Sequence, residues 1–145
     1  MAAWFRWTPI GFAPMLPAML NVLLAGLGGF LGAAGRYAVG VWLHHPADTP
    51  SFPLGTFVVN ALGCLAIGAV LGWGEAREAL SPGMRAFLVA GVLGGFTTFS
   101  AFGYDTWTLL RAGQHLLAGL NVLAQVAVGL LAVWGGFVLA RAVAS

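Results

Sequence analysis

The chain has 145 residues and a formal net charge of +2, with 60% hydrophobic and only 7% charged residues. An average soluble domain is about 25% charged, so this chain cannot dress a water-facing surface, and an ordinary soluble enzyme or binding domain is excluded. A mean hydropathy of +0.92 excludes intrinsic disorder, a lone Cys64 excludes a disulfide framework or cysteine-based metal cluster, and arginines scattered singly exclude a nucleic-acid-binding stripe.

Residues 1–17 contain Trp4, Arg6, Trp7 and three prolines. They read either as an arm at the headgroups, where Trp and Arg are favoured, or as a loose N-terminal extension. Residues 18–145 read as a single domain of four apolar stretches, about 18–43, 54–73, 84–110 and 116–143. Each reaches the roughly 20 residues that a helix needs to cross a hydrocarbon core. Between them lie short polar runs containing His44, His45 and Pro46, then Glu75 through Gly83, then Arg111 through His115. Pro and Gly there mark turns. The expected fold class is an all-α integral membrane protein of four transmembrane helices. Four spans put both termini and the 75–85 loop on one side, with Arg6, Arg77, Arg85 and Arg141 there against Arg111 opposite. By the positive-inside rule that balance favours cytoplasmic termini, but without Arg6 the margin is three to one, which specifies orientation only weakly.

The 22 glycines are about twice the average share. Three pairs are spaced by four: Gly28 and Gly32, Gly68 and Gly72, Gly91 and Gly95. Small residues at that spacing let helix backbones approach closely. A bundle of four spans is thin, so a polar pathway forms more naturally between two copies than within one.

Polar residues inside spans are costly and usually functional. Here they are Asn21 and Arg36 on the first span, Thr56 and Asn60 on the second, Thr97, Thr98 and Ser100 on the third, and Asn121 and Gln125 on the fourth. No span centre carries a carboxylate, which argues against proton-coupled cation transport. The third span is the densest. Gly94-Gly95 followed by Thr97-Thr98 makes a weak helix centre, so a break near its middle is expected. A break frees backbone carbonyls, hard donors suited to a small cation, and is tolerated only inside protein or along a cavity. Phe96, Phe99 and Phe102 repeat at i, i+3, i+6 and are expected on one side of a helix. From the residues alone, that stripe reads equally as packing or as part of a site.

Three segments resemble the Fluc/CrcB fluoride channels, small bacterial membrane proteins. Residues 28–37, Gly-Gly-Phe-Leu-Gly-Ala-Ala-Gly-Arg-Tyr, are similar to that family's GGxxGAxxRY. Residues 55–63, Gly-Thr-Phe-Val-Val-Asn-Ala-Leu-Gly, are similar to GTxxVNxxG, and residues 94–102, Gly-Gly-Phe-Thr-Thr-Phe-Ser-Ala-Phe, to GGxTTFSTF. The resemblance covers about residues 25–142. It implies a multi-pass protein of the bacterial inner membrane that exports fluoride passively. It further implies an antiparallel, dual-topology homodimer with two pores between the subunits. Asn60 would be the pore asparagine, Phe99 and Phe102 the phenylalanines facing the ion, and Thr56 and Ser100 polar pore-lining positions. Backbone carbonyls of Gly94 and Thr97 would hold a structural sodium ion at the dimer centre. Arg36 would match the arginine of the first span, in a structural or vestibule role. No organic cofactor, nucleic acid or enzymatic activity is implied. The sequence departs from the pattern at Ala101, where a hydroxyl residue is common, and at Gly129, where a relative can carry Ser.

Fluoride is small and strongly hydrated, so leaving water must be offset by close donors. Asn60 offers an NH₂, and Ser and Thr offer hydroxyls. Aromatic ring edges are positive, and they can face an anion without the full charge that would hold it too tightly for conduction. Two other classes are a small multidrug-type transporter, which would need an acidic residue absent from 18–43, and a non-conducting accessory subunit, in which the polar residues only join helices. Cys64 reads as a packing residue, His44 and His45 as solvated loop residues, and Arg36 as snorkelling or anchoring. Asp105 and Arg111 read as facing headgroups, and Trp42, Trp73 and Trp107 as an interfacial belt.

Overall fold

The computed structural model describes residues 15–43 and 51–144. Most of the expected N-terminal extension and the run containing His44 and His45 lie outside the described residues. Helix α1 spans Met15–Trp42 and α2 spans Leu54–Arg77. The third apolar stretch comprises α3 (Pro82–Met84), a π-helical stretch (Arg85–Leu93), α4 (Gly94–Phe96) and α5 (Phe99–Arg111). Helix α6 spans His115–Ala144. Four segments of 24 to 30 residues are long and apolar enough to cross a membrane. At 1.5 Å per residue, even the shortest exceeds a hydrocarbon core of about 30 Å. The protein is all-helical and multi-pass.

Local chemistry sets the ends. Glu78 closes α2 in the left-handed region at φ 49° and donates its N–H to the Gly74 carbonyl. Ser81 caps α3 by accepting the Met84 N–H at 3.3 Å, with Pro82 at the first helical position. That position suits proline, whose missing N–H has no helical partner there. Gly113, at φ 73°, turns the chain from α5 into α6.

The helices pack as two close pairs, α2 along α6 and α1 along residues 85–96. The paired glycines are the reason. A Cβ at Gly68 would meet the Val133 carbonyl oxygen, one at Gly72 the Phe137 oxygen, and one at Gly136 the Leu65 oxygen. On the other pair, a Cβ at Gly32 would meet the Val92 oxygen. One at Gly91 would lie 2.8 Å from the Ala25 oxygen, and one at Gly95 2.5 Å from the Gly29 oxygen. Both pairs therefore touch backbone to backbone, the small-residue packing that membrane helices use where lipid removes the hydrophobic drive.

Large apolar side chains point outward along the spans, as they must in lipid, and the fully buried ones are few: Val59 and Leu109 among them. Arg141 of α6 and Glu75 of α2 approach at 3.5 Å where the two helices end. Arg141 is exposed and Glu75 partly so, and the pair adds little stability.

Candidate functional site

The chain is extended at Thr97 (ψ 158°) and Thr98 (φ −151°, ψ 114°), between α4 and α5. Two β-branched residues after Gly94-Gly95 favour this over helix. An extended pair inside a span must place its backbone polar groups with partners other than the helix ladder.

Most find one. The Leu93 carbonyl accepts the Thr97 N–H at 3.0 Å and the Thr97 hydroxyl at 2.9 Å. The Gly95 carbonyl accepts Arg36 Nε at 3.1 Å. Thr98 donates its N–H to Asn60 Oδ1 at 2.8 Å and accepts Asn60 Nδ2 on its carbonyl at 3.2 Å. The Thr98 hydroxyl caps α5 by accepting the Ala101 N–H at 3.1 Å, and it pairs with the Ser100 hydroxyl at 3.1 Å. Among the described residues, no donor reaches the carbonyls of Gly94, Phe96 or Thr97. Gly94 is also exposed on the single chain.

Two cavities flank this turn, and Thr98 lines both. One, of about 360 Å³, is lined by Asn60, Gly94, Thr97, Phe99, Phe102 and Gln125. It holds no carboxylate and no basic residue. The Phe99 and Phe102 rings lie 5.4 Å apart at 57°, and Phe99 is 83% exposed on the single chain. The other cavity, of about 460 Å³, is lined by Arg36, Ser51, Thr56 and Asp105 among others. There Thr56 donates its hydroxyl to Asp105 Oδ2 at 2.6 Å.

The structure thus brings Asn60, Gly94, Thr97, Phe99 and Phe102 to one cavity. It separates Thr56 and Arg36 into the second, and leaves Ser100 exposed beside Thr98. Two readings from sequence are corrected. Asp105 does not simply face headgroups: it takes the Thr56 hydroxyl inside a cavity. Phe96 does not share a helical stripe with Phe99 and Phe102, because the extended turn intervenes; its ring lies against Gly35 and Gly63. Cys64, read as a packing residue, lies against Gly129 of α6 and also lines the Asn60 cavity. Arg36 anchors the turn through the Gly95 carbonyl.

Gln125 was not assigned to the site by sequence, yet its Oε1 accepts Asn60 Nδ2 at 3.1 Å across 65 residues of chain. Its signal was an amide at mid-span. Asn121, wholly buried, donates Nδ2 to the Thr106 hydroxyl at 2.9 Å. Gln125 Nε2 and Asn121 Oδ1 are buried without a partner. Among the described residues no group of three His, Cys, Asp or Glu is placed to hold a metal. A cation here would have to rest on carbonyls, and Gly94 and Thr97 are among the three that stand free at the turn.

The family described as CrcB-like protein, Camphor Resistance (CrcB) matches residues 23–137. The chain is 44% identical over 124 residues to a protein of Methylobacillus flagellatus named fluoride-specific ion channel FluC, covering 85% of this chain and 96% of that one. Proteins of the same name from Rhizobium meliloti (44% over 124 residues, 86% and 98% covered) and Chloroflexus aurantiacus (45% over 123 residues, 85% and 97% covered) are similarly related.

Proposed function

We propose, for a chain that belongs to the CrcB family, that it is a passive fluoride-selective channel exporting the ion from the cytoplasm across a bacterial inner membrane. The relatives it matches are named as ion channels, not enzymes. The observation that carries the reading is the Asn60 cavity: beside the turn in the middle of the third span it presents amides, hydroxyls and two phenylalanine rings, and no charged group. Such a lining sets amide and hydroxyl groups beside a desolvated anion, with Gln125 Nε2 an unpaired donor among them, and lacks the fixed charge that would trap it.

The finer architecture is an antiparallel homodimer with two pores at the subunit interface. Free carbonyls and an exposed Gly94 cannot face hydrocarbon, where each unsatisfied group costs several kcal/mol. A second copy laid against this turn removes them from lipid, and covers Phe99. Carbonyls of Gly94 and Thr97 from both copies would then hold a sodium ion. Four neutral oxygens suit a monovalent ion better than Ca²⁺, which usually recruits carboxylates. When bound, the ion supplies the positive charge that satisfies these carbonyls. The chain's own part is to keep them free, through Arg36 on Gly95 and Asn60 on Thr98.

Efflux from proteoliposomes containing only this protein tests the function. Fluoride should leave without ATP, and chloride far more slowly. Equal rates for the two ions would reject selectivity, and no efflux would favour an accessory subunit.

A further inference from the structure

The asparagine at the centre of the site has no donor to spare. The Thr98 N–H on Oδ1 establishes which end of its carboxamide is oxygen. The two protons of Nδ2 lie toward the Thr98 carbonyl at 3.2 Å and Gln125 Oε1 at 3.1 Å. An anion can take an Asn60 N–H only by displacing one of these acceptors.

The two acceptors differ. The Thr98 carbonyl is backbone at the extended turn, and moving it undoes the turn. Gln125 Oε1 ends a side chain whose last torsion is broad and roughly two-fold, so the amide can exchange its ends in place. Gln125 also holds its donor in reserve, because Nε2 is buried with no partner. Asn121, one turn earlier on α6, is not equivalent: its Nδ2 is engaged by Thr106, and its free atom is an acceptor.

We propose that Gln125 is a reversing amide. In the empty site its Oε1 covers the Asn60 N–H. When an anion enters, the amide turns end for end, and the ion receives N–H bonds from Asn60 Nδ2 and Gln125 Nε2 together. This assigns Gln125 a direct anion-binding role in the proposed channel, and so rests on that reading. Without an ion, the turned amide would set two N–H groups against each other, so the turned state exists only with the site filled. The unpaired Nε2 is a standing penalty of the empty state, since a buried donor without a partner is unfavourable; turning gives that donor the ion and leaves the Oε1 acceptor in its place. When the ion leaves, Oε1 returns to Asn60 Nδ2, and Gln125 Nε2 is the one donor of the pair again without a partner. A site that binds and still releases is what conduction requires.

The test uses the full-length dimer in detergent micelles and follows side-chain amide ¹H–¹⁵N resonances as sodium fluoride or sodium chloride is added. Asn60 Nδ2 and Gln125 Nε2 should both shift with fluoride along one saturation curve, with little response to chloride. A Gln125 signal that stays still while Asn60 shifts overturns the proposal. Flux supplies a second measurement. Gln125→Met keeps the length and removes both ends, and should cut fluoride flux at least about tenfold per folded dimer. Gln125→Glu keeps the acceptor and, when ionised, has no donor. Its flux should be low and should rise on acidification, after protein-free vesicle leak is subtracted, as the carboxyl gains an O–H. Parent-like flux in both variants overturns the role of Gln125 and leaves the channel reading standing. No fluoride flux in the parent removes both.

Discussion

The side-chain amide of Asn60 pairs with both backbone polar groups of Thr98, accepting the N–H at 2.8 Å and donating to the carbonyl at 3.2 Å. A neighbouring β-strand would offer an extended residue the same two bonds. A single side chain of α2 thereby substitutes for the missing helix ladder, and holds the third span open beside both cavities.

Asn60→Ala should therefore damage the structure as well as the pathway. It leaves the Thr98 N–H and carbonyl unpaired inside the membrane, and each such group costs about 1–3 kcal/mol. Thermal unfolding in detergent should show a lower midpoint, and fluoride flux should fall. A variant with unchanged stability would mean that water or lipid headgroups reach the turn.

Phe99→Ile and Phe102→Ile should each reduce fluoride flux at least about tenfold, equivalent to about 1.4 kcal/mol of barrier, with the dimer intact. Isoleucine has no positive ring edge to present to a desolvated anion. Phe96→Ile should be much milder, because that ring packs against Gly35 and Gly63 and does not line the Asn60 cavity. Equal flux in all three variants at matched dimer content would assign the rings to packing alone.

If the proposed dimer holds sodium, replacing that ion by N-methylglucamine should lower its thermal midpoint, and calcium should not restore it. The free carbonyls of Gly94 and Thr97 would then face one another without a cation. Ion-replacement crystallography with anomalous scattering should place the ion between these carbonyls; the absence of density there would reject the site.

Gly32→Ala and Gly68→Ala should destabilise the fold by about 1–3 kcal/mol, the usual cost of overpacking. Their added Cβ atoms would meet the Val92 and Val133 carbonyl oxygens, which are backbone and cannot swing aside. Gly119→Ala meets nothing within 4 Å and should be neutral or slightly stabilising, given the higher helix propensity of alanine. Unfolding midpoints of the three variants check this directly.

Ala112→Cys, in a Cys64→Ser background, should react with impermeant thiol reagents from both sides of a proteoliposome. Ala112 is exposed at the end of α5, and the net arginine bias across the spans is small enough to permit both orientations. Labelling from one side alone would reject the antiparallel arrangement.

Four apolar stretches, glycines at spacing four and a few mid-span polar residues were legible in the sequence because each follows from a local property. Lipid demands about 20 apolar residues per span, and close helix approach demands small ones, wherever the helices finally lie. The pairings were not local. Asn60 meets Gln125 across 65 residues and Thr56 meets Asp105 across 49, and both depend on how α2 is rotated toward α5 and α6. The i, i+3, i+6 spacing of Phe96, Phe99 and Phe102 suggested one face, but that periodicity holds only within an unbroken helix. The extended Thr97 and Thr98 turn Phe96 away from the other two. Hydropathy adds up along the chain, whereas a hydrogen bond depends on the direction and distance of two groups on different helices, and only the packed bundle sets those.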